Sequence, residues 1–270
     1  MVPDLFFIEF AINDGYAKYS YDFITKTSET LVRTALKANP KVDIIYVLTF
    51  DRTVKTRDYN SLCAHRDVAE KYDFECIKLS DTFYKLLENE DKTDEDYIPD
   101  GVHPNDDGYY RYFEIIRDAL DKRLSNTVID GDELIEKVLP EPMTDYYKNH
   151  KLLTAREIYN DDNNGWIYEP DGNLSWLGNR YDGILSSTQV GSKLIFEFEG
   201  TDLGLVCESN TDIGKISFKL DDGEEQIINA KLTYSNPNVI VLSDALPFGK
   251  HKAEFTLLEE KFKIGALFVN

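Results

Sequence analysis

The chain has 270 residues, of which 42% are hydrophobic and 13% aromatic, so it can bury packed cores and is not a wholly disordered protein. Lys and Arg number 30 against 50 Asp and Glu, which gives a formal net charge of −20. This balance argues against nucleic acid and against anionic membrane surfaces as partners, because both are bound through clustered cations.

Residues 1–125 alternate two kinds of pattern along the chain. Short, almost continuous apolar runs predict buried strands at 5–12, 42–48 and 74–79. Apolar residues at helical spacing predict helices at 21–39, 58–72, 81–87 and 106–124. Strands that alternate with helices predict an α/β domain in which a parallel sheet is covered on both faces.

The pattern changes to β beyond residue 150. We predict that residues 126–150 form a linker with a short helical stretch at 132–138, and that residues 151–270 form a second domain. Its alternating strands are predicted at 193–199, 215–220, 239–242, 252–257 and 262–269. The DDG sequence at 221–223, between KISFKL and EEQIINA, is typical of a hairpin turn. Several short strands with turn signals predict an antiparallel β-sandwich.

The strongest functional signal is DGVHPNDDGY, residues 100–109, at the start of the last helix predicted in the first domain. A carboxylate three residues before a histidine, across a glycine turn, can fold back onto the imidazole Nδ1. We therefore predict that Asp100 fixes the tautomer of His103 and that Nε2 acts as a general base. Asn105 or Asp106 is placed to cap the helix. The alternative is a surface turn with a His–Asp hydrogen bond and no catalytic role.

A second signal is AIND, residues 11–14, at the predicted carboxyl end of the first strand. Ligands bind at this edge of parallel α/β sheets. The side-chain amide of Asn13 is therefore predicted to donate to a developing oxyanion, a contact worth roughly 3 kcal/mol of barrier. The alternative is an ordinary turn, since Asn13, Asp14 and Gly15 all favour turns.

AIND followed by DGVHP resembles blocks III and V of the SGNH (GDSL-type) hydrolases, which are serine esterases with a flavodoxin-like fold. The resemblance covers roughly residues 1–125. It implies that Asp100 and His103 are the catalytic partners of a serine and that Asn13 is an oxyanion-hole donor. It also implies a partial flavodoxin-like sheet and an activity that needs no metal or organic cofactor.

The chain departs from that family in two places. Ala11 stands where the family usually has glycine, which is tolerable if the backbone there is extended. No Gly-Asp-Ser motif occurs in the sequence, although in the family this motif precedes the block III strand and carries the nucleophile. Without its family partner, the first strand becomes an open apolar edge. We expect a truncated form, a homo-oligomer joined or exchanged through that edge, or an inactive relative.

Other side chains carry weaker signals. None of Ser20, Ser28, Ser61 and Ser80 is predicted to lie on a tight strand-to-helix turn, so we expect none of them to be the nucleophile. The remaining histidines, His65, His150 and His251, are expected to be surface or packing residues. The oxygen-rich DDNNG at 161–165 lacks the register of a calcium loop, and the three separated cysteines do not form a zinc motif, so no metal site is predicted.

The second half resembles the jelly-roll accessory domains of carbohydrate esterases, through GSKLIFEFEGT, KISFKLDDGEE and LPFGKHKAEFTL. Such domains shape or extend a glycan site. The resemblance therefore predicts that Trp166 and Trp176, in the loop-rich segment that leads into the strands, bind substrate by stacking on sugar rings. The alternative is that these rings pack in the core or between the domains.

These signals together predict an SGNH-type serine esterase that removes acetyl or other acyl groups from carbohydrate. Its partner would be an acylated glycan or a small ester, and its nucleophile would lie outside this chain. A non-catalytic carbohydrate-binding or scaffold protein and an O-acyltransferase built on the same residues are the alternatives. Localisation stays open between the cytoplasm and secretion, because a signal sequence would lie on the missing part.

Overall fold

The computed structural model describes residues 3–49, 51–52, 60–88, 90–125, 139–143, 150–160, 165–175 and 180–270. The chain divides into two compact units, Met1–Tyr147 and Lys148–Asn270. Most of the predicted linker 126–150, including the predicted helix at 132–138, lies outside the described residues. In the part of the chain that the structure describes, no helix combines the length and the apolar character needed to cross a membrane.

The N-terminal unit contains a three-stranded parallel sheet, as the alternating pattern predicts. Its strands pair in the order β1-β2-β3, with Leu5 opposite Asp43 and Ile45 opposite Glu75. The elements in chain order are β1 (Leu5–Ile8), α1 (Ala11–Tyr16), α2 (Tyr21–Ala38), β2 (Asp43–Leu48), α3 (Asn60–Lys71), β3 (Glu75–Lys78), α4 (Leu79–Leu87), α5 (Asp94–Tyr97) and α6 (Asp106–Ser125).

The central strand β2 supplies both faces of this sheet with core residues. Ile44 and Tyr46 face a cluster formed with α2 and α3, whereas Ile45 and Val47 face a second cluster formed with α4 and α6. The alternation follows from the two-residue repeat of a strand. Because helices cover both faces, β2 is apolar along almost its whole length, and this is the signal that identified it in the sequence.

The first strand is shorter than predicted. The sequence favours a strand over 5–12, but β1 ends at Ile8, and Ala11 and Ile12 are buried in the short helix α1. An apolar run does not by itself distinguish a strand from a buried helical turn. The expectation of an extended backbone at Ala11 is also wrong, because Ala11 is the first residue of α1; a helical backbone accommodates its methyl group equally well.

β1 is an edge strand in the described part of the chain, where it pairs with β2 alone. Leu5 and Phe7, which share one face of the strand, keep 43% and 41% of their surface exposed. Unpaired backbone groups beside exposed apolar side chains are a template for a further strand.

The C-terminal unit is a sandwich of two antiparallel sheets, as predicted for the second half. One sheet has the order β10-β9-β12-β7; the other has the order β11-β8-β13-β6-β5, with β4 also paired to β13. The elements are β4 (Lys151–Thr154), α7 (Ala155–Ile158), β5 (Ile167–Glu169), β6 (Ile184–Ser187), β7 (Lys193–Gly200), β8 (Leu203–Ser209), β9 (Lys215–Leu220), β10 (Gln226–Asn229), β11 (Asn236–Ser243), β12 (Gly249–Leu257) and β13 (Phe262–Val269).

A single apolar core fills the space between the two sheets. Alternate residues of β7 and β12 meet the inner faces of β8 and β13 there, with Phe218 and Phe255 among the largest fully buried side chains. The hairpin predicted at 221–223 joins β9 to β10, with Gln226 opposite Phe218. Strand β8 is buried at all seven positions.

Candidate active site

The DGVHP segment forms a tight turn between α5 and α6, and Asp100 organises it. Its Oδ1 accepts hydrogen bonds from the backbone N–H groups of Val102 (2.9 Å) and His103 (2.7 Å). Its Oδ2 lies 2.7 Å from Nδ1 of His103. These bonds, above all the one from the His103 backbone, hold the pKa of Asp100 below its usual range. Asp100 therefore stays ionised and orients the imidazole through Nδ1.

His103 is exposed on the turn, with 78% of its side-chain surface accessible. Among the described residues, Nδ1 has Asp100 as its partner and Nε2 has none. An imidazole held at Nδ1 by a carboxylate has its Nε2 free to accept or return a proton. The turn also contains Gly101, whose positive φ of 89° is a conformation that favours glycine.

The start of α6 fixes the other side of this turn. Asn105 caps the helix, accepting a hydrogen bond from the N–H of Gly108 at 2.9 Å, and its own N–H donates to the carbonyl of Tyr97 at 2.9 Å. Gly108 lies against the same carbonyl: a Cβ there would collide with it and would lie 2.9 Å from Cβ of Pro104. The helix therefore approaches α5 and the turn more closely than any side chain at 108 would allow.

Asp100 and His103 line a cavity of about 450 Å³ together with Asn13, so the three predicted catalytic residues meet at one place. Asn13 lies in α1, one turn after the carboxyl end of β1, rather than at the end of the strand itself. This is the sheet edge at which parallel α/β folds bind ligands. An amide donor, an imidazole and a carboxylate in one cavity are suited to acyl transfer.

Four other residues of the cavity wall were not singled out from the sequence. Glu9 and Thr49 follow β1 and β2, and the Thr49 hydroxyl donates to Glu9 Oε1 at 2.7 Å. Tyr16 and Tyr109 contribute rings that are 52% and 57% exposed. Two positions in the sequence could have identified them. Glu9 and Thr49 follow consecutive parallel strands, and Tyr16 and Tyr109 lie beside the two motifs.

No serine lines this cavity within the residues that the structure describes. Ser20 instead caps α2, and Ser28 is buried against Tyr46. Ser61 is buried in α3, and Ser80 lies in α4. The prediction that none of these four sits on a tight strand-to-helix turn is wrong for Ser80, which follows Lys78, the last residue of β3, by two positions. Ser80 does not line the cavity.

Of the two tryptophans predicted to bind sugar, the structure describes only Trp166. Trp166 is 3% exposed and packs in the core of the C-terminal sandwich, so it offers no ring face to a ligand. Core packing, the alternative given for it from the sequence, is where the structure places it. Trp176 lies outside the described residues. Within those residues, His, Cys, Asp and Glu side chains form no group that could hold a metal ion.

Comparison with known proteins assigns the N-terminal part of the chain to a family of sequences. Residues 2–111 match the sequence model of the GDSL-like lipase/acylhydrolase family. A search of curated proteins finds no match to the chain. Residues 2–111 are thus a GDSL-like domain, in agreement with the resemblance seen in the two motifs.

Two solved structures extend the likeness to the whole chain. One is of a two-domain esterase (CEX) active on acetylated mannans: it is 18% identical with a TM-score of 0.76, over 99% of this chain and 72% of that chain. The other is of the esterase described in the same words, co-crystallised with mannopentaose, at 18% identity and a TM-score of 0.75 over the same shares. At this identity the likeness shows the fold: an α/β domain followed by a β-rich domain.

Proposed function

We propose that this chain forms the His–Asp part of a serine carbohydrate esterase that removes acetyl groups from a glycan. An ester hydrolase is the general class indicated by the GDSL-like domain and by the two-domain esterase fold. The observation that carries the finer proposal is the cavity in which Asp100, His103 and Asn13 meet. The nucleophilic serine is proposed to come from polypeptide outside this chain.

The chemistry follows from the positions of these groups. A serine Oγ attacks the ester carbonyl while His103 Nε2 takes its proton, and His103 then returns the proton to the departing sugar oxygen. Water, deprotonated by the same nitrogen, then attacks the acyl-serine, and acetate is released as His103 returns that proton to the serine Oγ. Asp100 keeps Nδ1 protonated and offsets the charge of the imidazolium. The Asn13 amide donates to the oxyanion of each tetrahedral intermediate.

The cavity wall supports a sugar as the alcohol part of the substrate. The exposed rings of Tyr16 and Tyr109 offer apolar faces to the C–H groups of a pyranose, and Glu9 offers a carboxylate to its hydroxyls. A volume of about 450 Å³ is large enough for one acetylated sugar unit. The structural neighbour's activity on acetylated mannans makes a mannan the first substrate to test.

The open edge of β1 is the proposed entry point for the nucleophile. A parallel strand added along β1 would end beside Glu9, at the same sheet edge as the cavity. A serine following that strand would come near His103. A second copy of this chain is the other candidate for this edge, and measuring the molar mass in solution distinguishes the two.

The decisive experiment uses the DNA directly upstream of the Met1 codon. If it encodes an in-frame Gly-Asp-Ser motif after an apolar strand, the extended protein should release acetate from acetylated mannan, whereas the 270-residue chain should not. His103→Ala should abolish release. His251→Ala is the matched control, because His251 also pairs with an aspartate through Nδ1 but lies in the sandwich. Acetate release that survives His103→Ala would refute the proposal.

A glycan-binding module without catalysis is the second candidate, because no serine among the described residues lines the cavity. An in-frame stop codon upstream, with a ribosome-binding site between it and the Met1 codon, would favour it. Calorimetry with deacetylated and acetylated mannan oligosaccharides would then test binding directly. Binding that is lost in Tyr109→Ala would support this role, and no binding to either ligand would exclude it for mannans.

A further inference from the structure

A second serine, histidine and aspartate are linked away from the cavity mouth. Ser28 Oγ lies 3.3 Å from His65 Nδ1, and His65 Nε2 lies 2.8 Å from Asp14 Oδ2. Ser28 Oγ is in turn 2.8 Å from the hydroxyl of Tyr46. The order is that of a catalytic triad, but Ser28 and His65 are only 4% and 3% exposed, so no ester reaches this serine.

The four side chains tie four elements together. Tyr46 belongs to the central strand β2, Ser28 to α2, His65 to α3 and Asp14 to α1. The first three are buried, whereas the Asp14 side chain is 23% exposed at the end of the relay. Helix α1 has six residues, and no side chain caps its amino end. So short a helix depends on tertiary contacts for its stability.

We infer that His65 is a positioning residue that holds α1 in place through Asp14, and thereby holds the neighbouring Asn13 toward the cavity. The inference rests on the proposed function for the oxyanion role of Asn13. It adds that the direction of the Asn13 amide is set through the next residue of α1, by a ring that does not line the cavity.

The hydrogen-bonding capacity of the relay matches this role. Burial raises the pKa of Tyr46, so its hydroxyl keeps its proton and can donate to Ser28. Ser28 can then donate to Nδ1 of His65 in the tautomer that carries its hydrogen on Nε2, and this N–H can donate to Asp14. Every group is satisfied when the proton sits on Nε2, which fixes the ring orientation from both ends.

Two substitutions of His65 test the contact of each ring nitrogen separately. The Gln amide reaches about as far as Nε2, so His65→Gln keeps a donor for Asp14 and loses the contact with Ser28. The Asn amide reaches about as far as Nδ1, so His65→Asn keeps the Ser28 contact and loses Asp14. Asp14→Ala and Asp14→Asn form a second pair at the partly exposed end, where only Asn retains an acceptor for His65.

The readout is the side-chain amide resonance pair of Asn13 in the full chain, labelled with 15N-asparagine and assigned by its disappearance in Asn13→Ser. We expect the wild-type positions in His65→Gln and Asp14→Asn, and shifted or broadened signals in His65→Asn and Asp14→Ala. Unchanged signals in all four variants would overturn the inference and leave the relay as core packing. If His65→Asn does not fold, the Asp14 pair decides.

This measurement needs no turnover, so its result does not depend on whether the proposed esterase activity is correct. In a chain that carries a nucleophile, Asp14→Ala should lower kcat about tenfold with little change in KM, because the oxyanion donor matters most in the transition state. Asp14→Asn should restore kcat. An equal loss in both variants would contradict a positioning role.

Discussion

The exposed His103–Asp100 pair of the α/β unit and the His251–Asp221 pair of the sandwich make nearly the same contact in opposite surroundings, and Tyr109 and Trp166 differ in the same way. His103 in the α/β unit is 78% exposed and has no partner for Nε2 among the described residues. His251 in the sandwich is 10% exposed, with Nδ1 at 2.8 Å from Asp221 and Nε2 at 2.9 Å from the carbonyl of Pro247. The Nδ1–carboxylate contact is nearly the same in both.

The difference shows that a His–Asp contact does not by itself make a catalytic pair. Both ring nitrogens of His251 face acceptors, so the protonated ring satisfies them best, and the hydrogen bond to Asp221 raises the pKa of His251. His103 has one nitrogen held and one available. The same contrast holds for the aromatic rings: Tyr109 is exposed at the cavity, and Trp166 is buried in a core.

The largest expected effect is on kcat, and it distinguishes the carboxylate of Asp100 from that of Asp221. In a chain that carries the nucleophile, Asp100→Asn should lower kcat for acetate release by about 10³–10⁴-fold, because an amide favours the wrong imidazole tautomer. Asp221→Asn should leave kcat unchanged. Initial rates on acetylated mannan measure both. Equal losses would mean that the exposed pair has no special role.

The buried ring should matter most for stability. Trp166→Ala should lower the free energy of unfolding by about 3–5 kcal/mol, through lost burial and the cavity left behind. Trp166→Phe should cost much less, since the indole N–H has no hydrogen-bond partner within the described residues. Tyr109→Ala should change stability little. Urea unfolding followed by circular dichroism measures all three, and a stable Trp166→Ala would contradict the core assignment.

The exposed ring should instead affect substrate binding. Tyr109→Ala should raise KM for an acetylated mannan oligosaccharide about tenfold, which corresponds to roughly 1.4 kcal/mol. The KM for 4-nitrophenyl acetate should change much less, because this small ester has no sugar to stack on the ring. Tyr110→Ala is the matched control, being equally exposed but absent from the cavity wall. The same KM change in both variants would exclude specific stacking.

The smallest effect concerns the pH dependence of the sandwich. Because the pKa of His251 is raised in the folded state, the imidazolium stabilises the fold below pH 6.5, its ordinary pKa, and this stabilisation is lost as the pH rises through the folded-state value. Comparing wild type with His251→Gln should reveal a difference of about 1 kcal/mol at pH 5.5 that shrinks by pH 9.

Tryptophan fluorescence reports this transition selectively, since both tryptophans, Trp166 and Trp176, belong to the C-terminal unit. His103→Gln serves as the control and should leave the tryptophan-detected transition unchanged at both pH values. A wild-type advantage that grows with pH would contradict the sign argued for His251.

Sequence patterns predicted the regular parts of both units because a strand buried on both faces is a continuous apolar run and a strand buried on one face alternates apolar and polar residues. The run VDIIYVL and the alternation in KLIFEFE are examples. Strand β8 (LGLVCES) shows no such pattern although it is buried at all seven positions, because Gly204 and its polar residues interrupt the apolar run. Short strands such as β4 and β5 are determined by pairing with distant partners, which local patterns do not contain.

The candidate site was predictable where its geometry is local. Asp100 and His103 are three residues apart on one turn, so their contact follows from the sequence alone. The contributions of Glu9, Thr49 and Tyr16 depend on how three separate elements converge, and His65 reaches Asp14 across 51 residues. Likewise, nothing in the sequence near Trp166 distinguishes an exposed ring from one enclosed between two sheets.

The close approach of α6 at Gly108 has a consequence for how this site tolerates change. Because α6 contacts the Tyr97 carbonyl directly, both the number of residues from Asp100 to Gly108 and the size of residue 108 are constrained. A residue inserted in this interval, or a methyl group at 108, would lift the helix and tilt the imidazole with it. The constraint is greatest at Gly101, which has a positive φ, and at Gly108, which has no room for a Cβ, whereas Asp106 and Asp107 are exposed. For the same reason, the short segment DGVHPNDDG indicates the geometry of this turn even where the rest of the sequence resembles its relatives little.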